Sequence, residues 1–195
     1  MIKNTKFRNM QAVQGQSLIE LSLLLPLLLL LVFGVIDYAR AIQYNNILVA
    51  MSREGANLAA RSNMTHSGII KALVSTATPL LMGDRGMVYV TQINGTKVGN
   101  DVKAKVIAQT RATTGDASLY SSLPRPVWNN CTTWVNSVCT NISATSYATL
   151  PLVNGVDMPL SDGEEVFAVE VMYNYSVIFN YVMKIGPKLY SQTVL

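Results

Sequence analysis

Residues 18–36 form an apolar run of nineteen residues that carries a single charged side chain, Glu20. At 1.5 Å per residue, a helix of this length extends about 28 Å, close to the roughly 30 Å hydrocarbon core of a bilayer. Residues 1–15 contain three basic side chains and no acidic one. The positive-inside rule then places the N-terminus in the cytoplasm and the chain after Asp37 on the far side. The sequence therefore predicts one helix that spans the membrane in contact with lipid.

The end of this run raises the alternative of a cleaved secretory signal. Such a signal has a basic start, an apolar core of about 7–15 residues and small residues at its cleavage site. Ala39-Arg40-Ala41 fits that cleavage pattern, and a cut there would release a secreted adhesive domain that begins at Ile42. However, the run at 18–36 is longer than such a core, and the helical pattern continues beyond it. The sequence therefore favours a helix that is retained.

Residues 15–20, with the sequence GQSLIE, resemble the processing site of type IV prepilins. In that family a membrane peptidase cuts after the glycine on the cytoplasmic side, and glutamate is the fifth residue of the mature chain. The resemblance implies that residues 1–15 are a leader and that Gly15 and Gln16 flank the cut. The leader holds three of the fifteen basic residues, so twelve remain against eleven acidic ones. Most of the net positive charge of the chain therefore belongs to the leader. We accordingly expect no nucleic acid among the partners.

Glu20 is a carboxylate within a membrane helix, where its burial costs on the order of 2–3 kcal/mol, so it needs a partner. Cleavage after Gly15 would create an α-amino group on Gln16, with a reference pKa of about 8. Residues four apart lie on one helix face, so Glu20 could pair with this amine in its own chain. Alternatively, the Glu20 side chain could extend to the membrane–water interface on the cytoplasmic side and need no such partner. The prepilin resemblance implies instead that Glu20 pairs with the new N-terminus of a neighbouring subunit during assembly.

Pro26 interrupts the leucine-rich part of the same helix. Proline removes one intrahelical hydrogen bond, and its ring clashes with the preceding turn. Within a membrane, neighbouring groups can satisfy the freed carbonyl. We expect either a kink or a locally melted turn that lets a subunit bend as it leaves the bilayer for a filament. The alternative is a kink without a function.

The helix is predicted to continue beyond the membrane, so that residues 16–62 form one long N-terminal helix. Apolar side chains recur there at alternating spacings of four and three residues, with polar residues on the opposite side. The stripe is rich in glycine and alanine, which would allow another backbone to approach closely. It packs either on another subunit or on the chain's own domain. The predicted packing residues are Tyr44, Leu48, Met51, Gly55 and Leu58.

Several features follow one another in residues 17–62, namely Glu20, Pro26 after a leucine run, Phe33-Gly34, Ile36-Asp37 and Arg53-Glu54-Gly55-Ala56. In this order they resemble the N-terminal segment of TadE-like proteins, the pseudopilins or minor pilins of the tight-adherence (Tad/Flp) type IV pilus system. The resemblance implies a pilin-like fold and cleavage by a prepilin peptidase. It also implies partners in a pilus assembly platform with its ATPase and in other pilin subunits, either further copies or a major pilin.

Residues 63–195 are predicted to form an α+β domain with a small antiparallel sheet and long loops. The pattern predicts a short helix over 67–81. A hairpin is predicted over 87–98 with its turn at Asn94-Gly95, because that dipeptide favours a type I′ turn.

Two further strands are predicted from alternating patterns. Residues 102–109 alternate valine and alanine with polar residues, which indicates a strand with Gln109 on a solvated face. Residues 167–177 alternate in the same way and follow a turn at Asp162-Gly163.

The long irregular segment between residues 113 and 163 contains Cys131 and Cys139. Their spacing of eight residues is too wide for a CxxC redox or zinc motif. On the far side of the membrane the environment would be oxidising, so we predict a local disulfide worth up to about 3 kcal/mol. Trp128 and Trp134 are predicted either to anchor this loop on the sheet or to present an adhesive face.

The sequence gives little support to an enzyme. The single histidine, His66, lies in a polar stretch without an evident nucleophile or carboxylate nearby, and no common catalytic or nucleotide-binding motif occurs. The acidic residues at 162–165 lack the spacing of a calcium-binding loop. We therefore expect no catalytic activity, no metal and no cofactor.

Together these observations predict a bacterial pilin-like subunit that assembles through its N-terminal helix and acts in adhesion or secretion. Its N-terminus would be cytoplasmic and its domain periplasmic while it waits in the inner membrane, before it moves to an extracellular pilus. Two alternatives remain from the residues alone. The first is a permanently anchored periplasmic scaffold or binding protein that never polymerises, and the second is the secreted domain described above.

Overall fold

The computed structural model describes residues 5–123, 131–143, 145–148, 150, 152–153, 156–157, 159–177 and 186–195. At residues 5–17, 152, 153, 156 and 157 the description is of the backbone alone. The chain divides into two compact units, Met1–Ile42 and Gln43–Leu195.

A single long helix, α1 (Thr5–Arg61), forms the first unit and continues into the second. Within the first unit, the apolar side chains from Leu18 to Ile36 are largely exposed. The helix is long and apolar enough to cross a membrane. The prediction of a long apolar N-terminal helix is therefore confirmed.

The second unit contains a six-stranded antiparallel sheet, which confirms the predicted α+β class. The spatial order of the strands is β3-β4-β2-β1-β7-β8. Two short helices precede the sheet, and a separate two-stranded ribbon, β5 with β6, lies in the following loops. The bounds are α2 His66–Thr76, α3 Met82–Arg85, β1 Gly86–Val98, β2 Asp101–Arg111, β3 Trp134–Val135, β4 Val138–Cys139, β5 Leu152–Val153, β6 Val156–Asp157, β7 Glu165–Asn174 and β8 Lys188–Val194.

Both faces of this sheet are covered. The part of α1 after Ile42 packs with α2 on one face, here called the helix face. Irregular segments before and after the cysteines cover the opposite face, here called the loop face. Because β7 lies between β1 and β8, nearly all its side chains are buried on one face or the other.

The predicted turn at Asn94-Gly95 is wrong, because both residues lie inside the continuous strand β1. The hairpin turns instead at Gly99 and Asn100, where Gly99 has a φ of 68°. Gly95 has a different reason to be glycine. A Cβ atom there would lie 2.1 Å from the carbonyl oxygen of Ser161. The amide of Gly95 also donates to the carbonyl of Glu164 at 2.7 Å, so this glycine admits the turn that precedes β7.

The prediction that Gln109 faces solvent is also wrong, since its side chain is fully buried on the loop face. A β-bulge is responsible. Gln92 pairs with Ala108, whereas the next residue, Ile93, pairs with Val106. Ile107 is therefore the extra residue, and it is 45% exposed. One inserted residue exchanges the inward and outward positions that follow it, because side chains in a strand alternate with a period of two.

Candidate functional site

The apolar part of α1 carries the residues to which the sequence gives an assembly role. Gly15 and Gln16 lie in the helical backbone, and their side chains fall outside the described residues. Glu20 is exposed within the chain. Glu20 lies one turn after Gln16, so the two residues are on the same face of α1. After the predicted cleavage, that face would also carry the new N-terminal amine.

Pro26 lies inside the continuous helix, which remains α-helical on both sides of it. A locally melted turn is therefore not present in this structure. Proline has no amide hydrogen, so the carbonyl of Ser22, four residues earlier, receives no helical bond from it. The hydroxyl of Ser22 donates to the carbonyl of Ile19 at 2.8 Å, which is a second perturbation of the same region.

The predicted packing stripe of α1 lies on the helix face of the chain's own sheet. Leu48 and Met51 are buried, while Tyr44 and Leu58 are half-buried. The ring of Tyr44 meets those of Tyr173 and Tyr175 edge to face, with centroids 5.8 and 5.5 Å away. Such aromatic pairs contribute about 0.5–1.5 kcal/mol each beyond the area they bury.

Gly55 marks the closest approach of the helix to the domain. A Cβ atom at this position would lie 2.8 Å from Leu73 Cδ1 of α2 and 2.9 Å from Val169 Cγ1 of β7. Ala56 and Ala59 are also buried. The small residues of the stripe thus allow α1 to pack closely on α2 and β7 of the same chain. This is one of the two alternatives that the sequence left open.

The four-residue motif Arg53-Glu54-Gly55-Ala56 divides between two environments. Arg53 and Glu54 are exposed, whereas Gly55 and Ala56 are buried against the domain. Each half has a physical reason: the small pair sets the helix–sheet distance, and the charged pair solvates the outer surface of the helix.

Ser52 makes a buried contact between α1 and β8 that the sequence pattern did not identify. Its hydroxyl is fully buried and lies 2.9 Å from that of Ser191 and 3.0 Å from that of Thr193, both on β8. It also donates to the carbonyl of Val49 in its own helix. A serine beside Met51 on an apolar stripe is the only signal, and its partners lie too far along the chain to be inferred.

Cys131 and Cys139 form a disulfide, as predicted, with Cα atoms 5.8 Å apart. The bond closes the β3–β4 hairpin at the β2 edge of the sheet, and its cysteines belong to the apolar cluster on the loop face. The side-chain oxygen of Asn141 accepts a hydrogen bond from the amide of Thr132 at 3.2 Å. The predicted role of Trp128 falls outside the described residues.

The side chain of Trp134 on β3 packs against residues of β1 and β2 and anchors the hairpin to the sheet. The guanidinium of Arg111 lies 4.5 Å from the centroid of the Trp134 ring. The ring also lies 6.0 Å from that of Tyr89, whose hydroxyl donates to the carbonyl of Leu119 at 2.7 Å. Desolvation by burial raises the pKa of Tyr89 to about 12, although the charge of Arg111 opposes this shift.

His66 begins α2 and packs edge to face on Phe167, with ring centroids 5.6 Å apart. Desolvation by burial lowers its pKa, and the nearby charge of Glu165 partly opposes this effect. Among the residues that the structure describes, no group of three or more His, Cys, Asp and Glu side chains could hold a metal ion.

The comparison with protein families gives one match. Residues 15–57 match the family described as TadE-like protein. This range begins at the predicted leader glycine and ends just after the Arg53–Ala56 motif, so it covers the segment on which the sequence resemblance rests. No curated protein and no solved structure matches the chain.

The matched range includes the apolar helix and the first turns of the stripe that packs on the sheet. It stops before residues 63–195, which therefore draw no support from this comparison. The part of α1 that carries Glu20 and Pro26 is therefore similar to the TadE-like family.

Proposed function

We propose that this chain is a structural subunit of a tight-adherence type IV pilus and that it assembles through its N-terminal apolar helix. The TadE-like match and the one candidate membrane span among the described residues support a membrane-anchored, pilus-associated subunit. The observation that carries the proposal is the arrangement of the long helix. Its second part packs on the chain's own sheet, while its apolar part from Leu18 to Ile36 is exposed.

This arrangement assigns different roles to the two parts of α1. The stripe from Tyr44 to Ala59 already packs on the sheet, so it is not available to a second subunit. Intersubunit packing would then fall to residues 16–42. An apolar surface of this kind is stable either in lipid or against similar helices, which suits a subunit that waits in the inner membrane and later enters a filament.

Glu20 would direct this assembly electrostatically. Prepilin peptidase cleavage after Gly15 would leave a cationic amine on Gln16, and Glu20 of an adjacent subunit would pair with it. In a low-dielectric environment an unpaired carboxylate is costly, so the pair would favour one register between neighbouring helices. The assembly ATPase and its membrane platform would supply the work of extraction, and the filament partners would be further copies or a major pilin.

The test compares two carboxylate substitutions on the same helix. Glu20→Ala removes the proposed assembly carboxylate, whereas Glu54→Ala removes an exposed one outside the apolar segment. Both variants are expressed in the native host, and membrane and sheared-pilus fractions are quantified by immunoblot. We expect Glu20→Ala to accumulate in the membrane and fall at least tenfold in pili, while Glu54→Ala enters pili normally. Normal incorporation of cleaved Glu20→Ala protein would refute this role.

The anchored-scaffold alternative makes a different prediction for the same fractions. A permanent periplasmic scaffold would remain in the membrane fraction in both variants and in the unmodified protein. Recovery of the unmodified chain in purified pili therefore separates a filament subunit from a scaffold before any substitution is considered.

A further inference from the structure

A cleft of about 200 Å³ opens on the loop face between residues 118–122 and strand β8. Its walls combine two tyrosines, Tyr120 and Tyr190, with the hydroxyl-bearing Ser118 and Ser122 and the apolar Met172. Tyr120 is 63% exposed, so its ring is accessible to a ligand. Aromatic rings next to hydroxyl groups can bind ligands that have both an apolar face and a polar edge.

A buried carboxylate holds the two walls of this cleft together. Glu170 on β7 is fully buried and accepts hydrogen bonds from the hydroxyl of Ser121 and from the amide of Ser122, the latter at 2.8 Å. The hydroxyl of Tyr190 also donates to it at 3.1 Å. Glu170 is therefore bonded both to the 118–122 wall and to the β8 wall.

The burial of Glu170 needs a reason, because a well-packed apolar residue at such a position is often as stable or more stable. The donors named above lie in or next to the cleft walls, so the carboxylate fixes their relative positions. The hydroxyl of Tyr190 also lies 2.9 Å from Gln192 Oε1, so its single hydrogen is shared between Glu170 and Gln192. The hydrogen bonds of Glu170 thus hold the two walls of the cleft in a defined geometry.

The electrostatics of the cleft disfavour an anionic ligand, because the carboxyl groups of Glu170 and Asp116 lie next to its walls. Among the described residues that line the cleft, Lys188 is the one with a charged side chain. Asp116 lies behind Ser118 and accepts hydrogen bonds from the Ser118 hydroxyl and amide. These bonds, joined by one from Asn174 and by the charge of Lys188, lower the pKa of Asp116, so it is anionic near neutral pH and offsets the lysine.

We infer that this cleft binds one neutral sugar ring, with Tyr120 stacked on its apolar face. The Ser118 and Tyr190 hydroxyls, which donate to protein carboxylates, would accept hydrogen bonds from the sugar hydroxyl groups. The volume is below the roughly 300–1,000 Å³ of sites for drug-sized ligands, which suits a single ring at the end of a glycan. Hydroxyl-lined sites also discriminate well between ligands, since a lost hydrogen bond leaves a polar group unpaired. This binding function is independent of pilus assembly.

The experiment uses the full-length protein in dodecylphosphocholine micelles, because detergents with sugar head groups would compete. The probes are methyl β-D-galactopyranoside, methyl α-D-mannopyranoside, N-acetyl-D-glucosamine and, as an anionic comparison, D-glucuronic acid. Saturation-transfer difference NMR measures contact between protein and probe. We expect transfer to the ring protons of at least one neutral probe.

Three variants test whether this contact occurs in the cleft. Tyr120→Ala, at an exposed position, should reduce the transfer at least fivefold without a change in thermal stability. Glu170→Gln should weaken it by a smaller factor through misplacement of the walls. Tyr147→Ala, which removes a tyrosine that contacts Lys103 on β2, should leave it unchanged.

Several results would overturn the inference. They are the absence of transfer to all three neutral probes, transfer confined to glucuronic acid, and transfer that Tyr120→Ala leaves intact. Because the measurement needs no filament, a negative result here leaves the pilus proposal standing, and failure to assemble pili does not affect this test.

Discussion

The hydroxyl of Ser52 on α1 lies 2.9 Å from the hydroxyl of Ser191 on the final strand, 139 residues later in the chain. Thr193 joins the same cluster at 3.0 Å from Ser52. These bonds tie the helix to β8 within an otherwise apolar interface. The long helix therefore has a fixed register on the sheet, set by polar contacts as well as by packing.

Replacement of Ser52 by alanine should destabilise the domain by about 1–2 kcal/mol, because the buried hydroxyls of Ser191 and Thr193 lose a partner. Urea unfolding of the full chain in micelles, followed by circular dichroism, measures this change. Ala50→Ser, which adds a hydroxyl at an exposed position of the same helix, serves as the control and should have little effect. Equal stability of Ser52→Ala and the unmodified protein would contradict the proposed anchoring.

Gly55→Val should cost at least about 2 kcal/mol, since side-chain atoms of Leu73 and Val169 lie less than 3 Å from the position of an added Cβ. Gly34→Val is the matched control, because no atom lies within 4 Å of a Cβ placed at that glycine. The thermal midpoints of both variants in micelles provide the comparison. Valine has a higher helix propensity than glycine, so propensity alone predicts no drop for either variant. A drop for Gly34→Val as large as that for Gly55→Val would contradict a role for the close approach.

Removal of the disulfide by Cys131→Ser with Cys139→Ser should lower the free energy of unfolding by about 2–3 kcal/mol, as expected for a short closed loop. Reduction of the unmodified protein with dithiothreitol should lower its urea midpoint to that of the double variant. The double variant is its own control, since the reductant should not change its midpoint. An unchanged midpoint after reduction would mean that the bond contributes nothing to stability.

His66 should make the folded protein less stable as the pH falls below the unfolded-state pKa of about 6.5. Its pKa is lowered in the folded state, so the unfolded chain binds the proton more readily. The contribution of His66 to the free energy of unfolding is therefore complete above the unfolded-state pKa of about 6.5. It is lost as the pH falls through the lower folded-state pKa. As the pH is lowered, the thermal midpoint of the unmodified protein should fall more steeply than that of His66→Gln. Parallel curves would contradict the assignment.

The features that the sequence predicts correctly are those encoded by neighbouring residues. The apolar run at 18–36 and the stripe from Tyr44 to Leu58 both follow from spacing within one helix, and the structure places the stripe on the sheet. The disulfide also follows from local spacing and the expected compartment. None of these needs knowledge of a distant partner.

The errors arise where tertiary contacts decide the local structure. Asn94-Gly95 has the composition of a turn, but the close passage of Ser161 explains its glycine. The bulge at Ile107 reverses the alternation of β2 and buries Gln109, and nothing in the pattern before it signals the extra residue. Strand β8 was not predicted, because its mixed polar and apolar residues show no clear alternation.

The candidate sites divide in the same way. The sequence identifies Glu20 because a carboxylate in an apolar run is conspicuous by itself. It does not identify Glu170, whose burial depends on β1 and β8 on either side and on the loop above it. Burial of a charged residue within an alternating strand is a property of the assembled sheet.

The intact mass of the mature chain, purified in parallel from the membrane and the culture medium of the native host, distinguishes a filament subunit from an anchor and from a secreted domain. We expect an N-terminus at Gln16, which leaves the apolar helix in place behind a new amine. A chain that still begins at Met1 would indicate a permanent anchor, and one that begins at Ile42 would indicate a secreted domain. Either of these two results would contradict assembly through the retained helix.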